Sequence, residues 1–516
     1  MAESAVAAMI TAVPRLSRVR SDVRSLATAP SYRRCCRWRN GATLSPSPMG
    51  GWSLMPVRHS TPKWFSRVQL HLGNIRCSPF IKGIAMTSHA ERFATSQWTA
   101  GIIGLGYVGL PLAVAASRKG LGVIGFDLSA PLTAALMEGR SHVGDVSDSE
   151  LGRALDDGAV FTADAARLAE ADAIFICVPS PLGRNRQPDL SFIESAAETV
   201  ATVVRPGQLI SLESTTYPGS TEDILVPAVE KAGLTVDVDV FVAFSPERVS
   251  PGDQLKTADI PKVVGGVSAL SGEVAAAAYG RLVPSVHLVS SARAAEMAKL
   301  LENTYRAVNI GLINEMAQLA HELDIDIWEV VDAAATKPFG FQAFYPGPGV
   351  GGHCIPLDPQ YLAWRAREAN FTTRFIDTAE QVNSHMPGYV ASRVVDILND
   401  RGLPVFGTEI LAVGIAYKPD VADDRESASL HVIDELKARG AKVSVFDPLV
   451  GADRIRRHDL VPVDEGDDLS RFTMAVVLTD HRVIDYDKIA AQVGVVFDTR
   501  GMYRRIGSTA ANVHHL

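Results

Sequence analysis

The sequence predicts an α/β protein built from two doubly wound parallel-sheet domains joined by a central helical region. Three observations predict it. Short apolar runs alternate with helix-period segments from Gln97, and the alternation resumes near Pro404. Between them, from about Ser291 to Ala335, stretches such as ARAAEMAKLLENTYRAVNIGLINEMAQLAHEL carry a long helical pattern, a spine rather than another sheet. The first apolar run ends in GLGYVG and opens directly into a helix-period segment. The expected division is an extension over 1–95, a first α/β domain over 96–290, a helical region over 291–400 and a smaller α/β domain over 401–516.

Residues 1–95 are rich in Arg and Ser, nearly lack Asp and Glu and show no sustained period, so they are expected to be unfolded alone. That bias fits an organellar transit peptide, or translated sequence upstream of a true start; with Met86 shortly before the first strand, the second reading is favoured. In the first domain TAGIIGLGYVGL is a strand entering glycines, PLAVAASRKG a helix ending at Gly120, and LGVIGFD the next strand. ADAIFICVPSP, GQLISLEST and VDVFVAFSPE are later strands. In the last domain EILAVGIAY, AKVSVFDP, FTMAVVLTD and GVVFDTRG read as strands, with a helix in SASLHVIDELKARG. Two sheet domains joined by helices leave a cleft between them, a common place for a ligand.

A chain of 516 residues has room for roughly three domains. Its composition, 47% hydrophobic and 21% charged, is that of an ordinary globular protein, and no apolar run reaches 18 residues. The net charge of -8 gives no general case for binding nucleic acid or an acidic membrane surface, so an anionic ligand must be caught locally. Cysteines stand at 35, 36, 77, 177 and 354 with no CxxC pair, which suits a reducing compartment and a cytoplasmic location. Cys and His spacing supplies no four-ligand zinc set, His353 beside Cys354 included, and no metal is expected.

Gly104-Leu105-Gly106-Tyr107-Val108-Gly109 matches the dinucleotide fingerprint of a Rossmann-like domain. The first glycine permits the tight turn, the second lets a pyrophosphate approach the backbone, and the third lets helix and strand pack closely, while the helix N-terminus faces the anion. Asp127 ends the second strand, 23 residues beyond Gly104, and is placed to accept hydrogen bonds from an adenosine ribose. A 2′-phosphate there would meet its charge, so NAD is expected rather than NADP. Val178 and Ser180, at the end of ADAIFICVPSP, are further cofactor-side candidates.

In YPGPGVGGHC, prolines and glycines lead up to Cys354, and glycines let backbone groups approach a ligand. An NAD enzyme with a placed cysteine suggests more than alcohol oxidation. Carrying a primary alcohol to a carboxylate takes two hydride transfers, and a thiolate can hold the aldehyde between them as a thiohemiacetal, whose oxidation gives a thioester that water cleaves. For Cys354 alone, a packed and inert thiol is the plain alternative.

The motifs GLGYVGLPLA, SLESTTYPGST, FSPERVSPG, AAEMAKLLENTYRAVNIGLINE, YPGPGVGGHCIPLDPQYL, AYKPDVADDRES and FDTRG, in that order from about Gln97 onward, resemble the UDP-glucose/GDP-mannose dehydrogenase family of nucleotide-sugar 6-dehydrogenases. Within it, TKPFGFQAFYPGPGVGGHCIPLDP looks most like the UDP-N-acetylglucosamine 6-dehydrogenases, with UDP-N-acetylmannosamine and then UDP-glucose as the alternative substrates and a non-catalytic NAD-binding regulator as the alternative of another class. The resemblance implies Cys354 as nucleophile, Asp358 as a carboxylate working as base with an ordered water, and Lys299 with Asn303, four apart on one helix face, stabilising alkoxide and oxyanion. It implies Glu247 in thioester hydrolysis and Thr215 near the water and nicotinamide, although ESTTYP also allows Thr216. It implies that Tyr345, Gly347, Gly349 and Gly351 wrap the UDP moiety, that Lys418 and Arg500 hold the substrate from the second domain, and that Arg425 faces the cofactor across the cleft. Leu132 departs from the basic residue often found five positions after the ribose-binding acid, which lowers the expected NAD affinity. The family also implies a homodimer formed through the helical spine.

Overall fold

The computed structural model describes residues 88–183, 187–248, 260–352 and 354–516. Cys35, Cys36, Cys77, Met86 and His353, with the sequence readings that rest on them, lie outside these.

The first sheet has eight strands, β1 (Thr99–Ile103), β2 (Gly122–Phe126), β3 (Val160–Thr162), β4 (Ala173–Ile176), β5 (Leu209–Leu212), β6 (Phe241–Phe244), β7 (Lys262–Gly266) and β8 (Val286–Leu288). Their order is β3-β2-β1-β4-β5-β6-β7-β8. From β1 the chain adds β2 and β3 on one side and β4 onward on the other, all parallel at this point, so the crevice opens at the carboxyl ends of β1 and β4, where the order switches. Apolar clusters cover both faces, which is why the strands read as continuous hydrophobic runs. The sequence reading gives a parallel sheet; the structure adds one antiparallel junction, β6 to β7. β3, β7 and β8 went unread, two of them because they are only three residues long.

Residues 88–95 correct the expected boundary. They form a helix, Ser88–Thr95, that buries Ala90 and Phe93. The Phe93 ring meets Trp98 edge-on at 5.5 Å, and Arg92 pairs with Asp172 just before β4. The described part of the predicted extension therefore belongs to the first domain.

The second sheet is parallel throughout: β9 (Glu409–Val413), β10 (Lys442–Phe446), β11 (Val461–Pro462), β12 (Met474–Val477), β13 (Val495–Asp498) and β14 (Val513–His515), in the order β11-β10-β9-β12-β13-β14. It repeats a local device of the first. After β1, Gly104 N–H donates to Phe126 O at 2.9 Å and Leu105 N–H to Asp127 Oδ2 at 3.1 Å. After β9, Gly414 N–H donates to Phe446 O at 2.9 Å and Ile415 N–H to Asp447 Oδ2 at 2.8 Å. Asp447 differs in being buried against the buried His481, whose Nε2 lies 3.2 Å from Oδ2.

Between the sheets run the long helix Ala292–Glu322, capped by Ser291, and the helices Ile327–Ala335, Asp358–Glu368 and Arg374–Asn399. The long helix lies against the last of these. Asn314 Nδ2 donates to Asn383 Oδ1 at 3.0 Å, and Asn383 Nδ2 donates to Ala307 O at 3.1 Å.

The glycine turn sets a stability test. A Cβ on Gly109 would stand 1.9 Å from Gly104 O and 3.0 Å from Ile102 Cγ2. Gly109→Ala is expected to destabilise the first domain by about 1–3 kcal/mol, the range for overpacking, seen as a lower thermal midpoint. An unchanged midpoint would contradict the packing described.

Candidate active site

The long helix collects the site. Glu296, Lys299, Asn303 and Asn314 lie on its buried face, at spacings that return to one side of a 3.6-residue helix. Glu296 is fully buried and accepts from Gly219 N–H at 2.5 Å, Ser220 Oγ at 3.0 Å, and Thr221 N–H and Oγ1 at 2.9 and 2.7 Å. The loop after Thr215 and Thr216 is thereby tied to the helix one turn before Lys299. Thr215 is half-buried. Thr216 is 1% exposed, and its hydroxyl has no hydrogen-bond partner among the described residues.

Asp358 opens its helix, and its N–H donates to Cys354 O at 2.9 Å, which ties the cysteine to that first turn. Asn303 Nδ2 donates to Asp358 Oδ2. Burial pushes the Asp358 carboxyl up to about 6 against the pull of Lys299, the Asn303 hydrogen bond and Arg306. Cys354 is exposed as a residue, yet its surroundings desolvate the thiol and raise its pKa; Asp358 adds to the rise, while Lys299 and Arg306 oppose it. The four predicted residues Lys299, Asn303, Cys354 and Asp358 are thus one electrostatic unit. The other cysteine among the described residues, Cys177, is fully buried and its thiol is held well above its ordinary pKa by burial and by Glu213, so it is no competing nucleophile.

Tyr361, one turn beyond Asp358, donates to Ser180 O at 3.0 Å or Pro181 O at 3.1 Å, and Ser214 Oγ donates to Val178 O at 2.7 Å. The backbone at the predicted cofactor contacts Val178 and Ser180 is therefore held by the cysteine's helix and by the threonine loop.

The glycine turn fits a dinucleotide. Gly104 and Gly109 are packed against protein, but a Cβ on Gly106 would meet nothing, so open space faces the middle glycine. Asp127 is oriented by Leu105 N–H on Oδ2 and by Ser129 N–H on Oδ1 at 2.9 Å. Leu132 packs against the first core cluster. The Arg425 guanidinium lies 4.9 Å from the centroid of the Tyr107 ring and binds both oxygens of Asp423, at 2.9 and 2.7 Å. A cavity of about 480 Å³ beside them is lined by Tyr107, Asp424, Arg425, Arg454, Arg457 and His458, and not by Cys354. Gly104 to Gly109, Asp127 and Arg425 would hold NAD here.

The loop before Cys354 docks on both sides. Gly347 N–H donates to Asn314 Oδ1 at 3.0 Å, and a Cβ on Gly347 would lie 2.8 Å from the Arg500 guanidinium. Gly352 N–H donates to Glu426 O at 3.0 Å, and a Cβ there would enter the Tyr417 ring. At Gly347, Gly349 and Gly351 the close approach is to protein atoms, those of Arg500, Ala428 and Glu426, and not only to a ligand. Tyr345 stacks on Trp328 at 5.7 Å and donates to Asp332 Oδ1 at 2.9 Å. Lys418, in the turn after β9, is half-buried.

Sequence reasoning missed Glu296, Tyr361 and Asn314, whose partners are distant in sequence. It also missed Lys262, whose Nζ lies 2.7 Å from Glu213 Oε2 and 2.8 Å from Glu247 Oε2. For Glu296 one signal was available, a carboxylate one turn before Lys299 on the apolar side of the helix. Among the described residues no helix is long and apolar enough to cross a membrane.

Models of the UDP-glucose/GDP-mannose dehydrogenase family match the chain in three parts: its NAD binding domain over 99–283, its central domain over 293–385 and its UDP binding domain over 411–505. The chain is 37% identical to Protein CapL of Staphylococcus aureus, over 80% of its own length and 97% of that protein's. It is 36% identical to UDP-N-acetyl-D-glucosamine 6-dehydrogenase of Pseudomonas aeruginosa, over 70% and 86%. Among solved structures it is similar to the UDP-D-ManNAc dehydrogenase of Pyrococcus horikoshii, with a TM-score of 0.71 and 30% identity over 81% and 98% of the two chains.

Because the folded pKa of Asp358 is raised from 3.8 to about 6, the native state binds its proton more tightly than the unfolded chain, and its contribution to stability is lost as pH rises across that interval. Asp358→Asn is expected to remove this part of the pH dependence of thermal stability, together with the rise of activity through about pH 6. Melting curves and pH–rate profiles of the two proteins that differ by no pH-dependent amount would refute it.

Proposed function

Because the chain belongs to the UDP-glucose/GDP-mannose dehydrogenase family, and is an NAD-dependent nucleotide-sugar 6-dehydrogenase, we propose that it oxidises C6 of UDP-N-acetylglucosamine to the carboxylate, giving UDP-N-acetylglucosaminuronate for surface polysaccharide synthesis. The observation that carries the reaction type is the unit of Cys354, Asp358, Lys299 and Asn303 at the end of a loop pinned to Asn314 and facing Arg500. The sugar rests on TKPFGFQAFYPGPGVGGHCIPLDP and on the likeness to the Pseudomonas enzyme. The Pyrococcus enzyme favours UDP-N-acetylmannosamine as the second reading.

NAD, when bound at Gly104 to Gly109, supplies the hydride acceptor. Asp358, near neutrality in its proton affinity, is suited to work with a water as base. Lys299 favours negative charge on the Cys354 sulfur and is read as doing the same for a C6 oxygen, and Asn303 orients Asp358. Cys354 adds to the C6 aldehyde; oxidation of the thiohemiacetal gives a thioester, and water, deprotonated by Glu247, displaces the sulfur. Tyr345 and the glycine loop, with Lys418 and Arg500, hold the UDP part, and Arg425 faces the cofactor across the cleft. The enzyme's place is the cytoplasm, where a working thiol stays reduced.

A homodimer through the long helix is also proposed. Met297, Leu301, Tyr305, Leu312 and Leu319 are 40% to 58% exposed and fall on one face of that helix, away from the buried one.

Two NADH per UDP-N-acetylglucosamine are expected, with slower turnover of the mannosamine and glucose analogues; one NADH, or faster turnover of an analogue, overturns the reading. Cys354→Ser should abolish acid formation while NAD binding persists. Leu301→Glu with Leu312→Glu should yield monomers by light scattering if this face joins two copies.

A further inference from the structure

The buried charge cluster beneath the Glu247 segment goes beyond the residues assigned so far. Glu213 follows β5, Glu247 follows β6, and Lys262 begins β7. In a wholly parallel sheet the first residue of a strand lies at the edge opposite the site. Because β7 runs antiparallel to β6, with Ala243 across from Gly266 and Phe244 across from Gly265, continuing the register brings Lys262 opposite Glu247 at the carboxyl edge.

There Lys262 Nζ bridges Glu213 Oε2 at 2.7 Å and Glu247 Oε2 at 2.8 Å. The Lys262 and Glu213 side chains are 5% and 0% exposed, that of Glu247 18%, so the cluster opens to solvent through Glu247. Tyr279 OH donates to Glu213 Oε1 at 2.8 Å and lies 2.9 Å from Ser211 Oγ, which fixes the inner carboxylate. Burial disfavours the Lys262 charge, but the two carboxylates outweigh it and hold the ammonium protonated. Next to Glu247, Arg248 pairs with Glu302, the neighbour of Asn303, at 2.7 Å, so this segment is tied to the helix that carries Lys299.

We infer that Lys262 is the positioning residue of the second half-reaction, aiming the Glu247 carboxylate and, with Glu213, forming a triad with one surplus negative charge that a proton on Glu247 neutralises. The inference rests on the reading of Glu247 as the base of thioester cleavage. Water oxygen bonds to the acyl carbon as one of its protons passes to Glu247; the C–S bond breaks and its electron pair leaves on Cys354 Sγ. Nothing is oxidised or reduced in the step. Protonated Glu247 then faces a balanced Glu213–Lys262 pair, so no uncompensated charge remains buried.

The test uses the full-length enzyme with UDP-N-acetylglucosamine and NAD. Lys262→Gln is expected to slow steady-state acid formation roughly tenfold or more, short of the ~10²–10⁴ of losing a general base. It should also show a rapid phase approaching two NADH per Cys354, with a sugar-acyl adduct on acid-quenched enzyme by intact mass. Lys262→Arg should recover much of the rate, and the KM for NAD should stay within about twofold in both. Lys262→Met combined with Glu213→Gln removes both buried charges and carries the same prediction if the single variant does not fold. Unchanged turnover, or slow turnover without adduct, overturns the inference. Glu247→Gln separates the two readings: if it stalls with adduct and Lys262→Gln does not, the inference alone fails; if it turns over normally, the reading of Glu247 fails first.

Discussion

Glu296 is buried in the second turn of the long helix, where two backbone N–H groups and two hydroxyls of Gly219 to Thr221 converge on its carboxylate. The rest of the site depends on that anchorage. An unsatisfied donor in such a place costs about 1–3 kcal/mol, so the loop is held to the helix. From Glu296 to Asn314 the helix runs about 27 Å at 1.5 Å per residue, and along that ruler it meets the threonine loop, the Asp358 turn and the glycine loop in succession. Segments that enter from three parts of the chain are thus registered against a single rigid element.

The electrostatics follow from this convergence. Removing Asp358 from water raises its proton affinity, and the same carboxylate raises that of Cys354, while Lys299 restrains both. A thiol whose pKa is raised thus sits beside a carboxyl held at about 6 and a cation that favours the thiolate.

Much of this was legible in the sequence, for physical reasons. The glycine turn and Asp127 are read from a strand-to-helix junction whose geometry demands those residue types; Lys299, Asn303, Cys354 and Asp358 come from the family resemblance, with helical period placing only the first two on one face. The two sheets were legible because buried parallel strands are written as apolar runs. Pairings between distant segments were not: Glu296 meets residues 75 to 77 positions away, and no local pattern announces an antiparallel strand such as β7. The helix at 88–95 escaped because it is only eight residues long and its surroundings in sequence are biased and aperiodic. The glycines before Cys354 were read as room for a ligand; several are equally room for Arg500, Glu426 and Tyr417.

The two sheets share a turn in which a strand-end aspartate receives the amide of the glycine loop, yet Asp447 is shut in by His481 whereas Asp127 stands half-open. Of these two aspartates only Asp127 is open enough to receive a ligand such as the proposed adenosine ribose. On a four-electron pathway the first reduced coenzyme must vacate the berth before its successor docks, and a half-oxidised sugar would have that interval in which to escape. The proposed tether to sulfur would turn a race between departure and exchange into a wait.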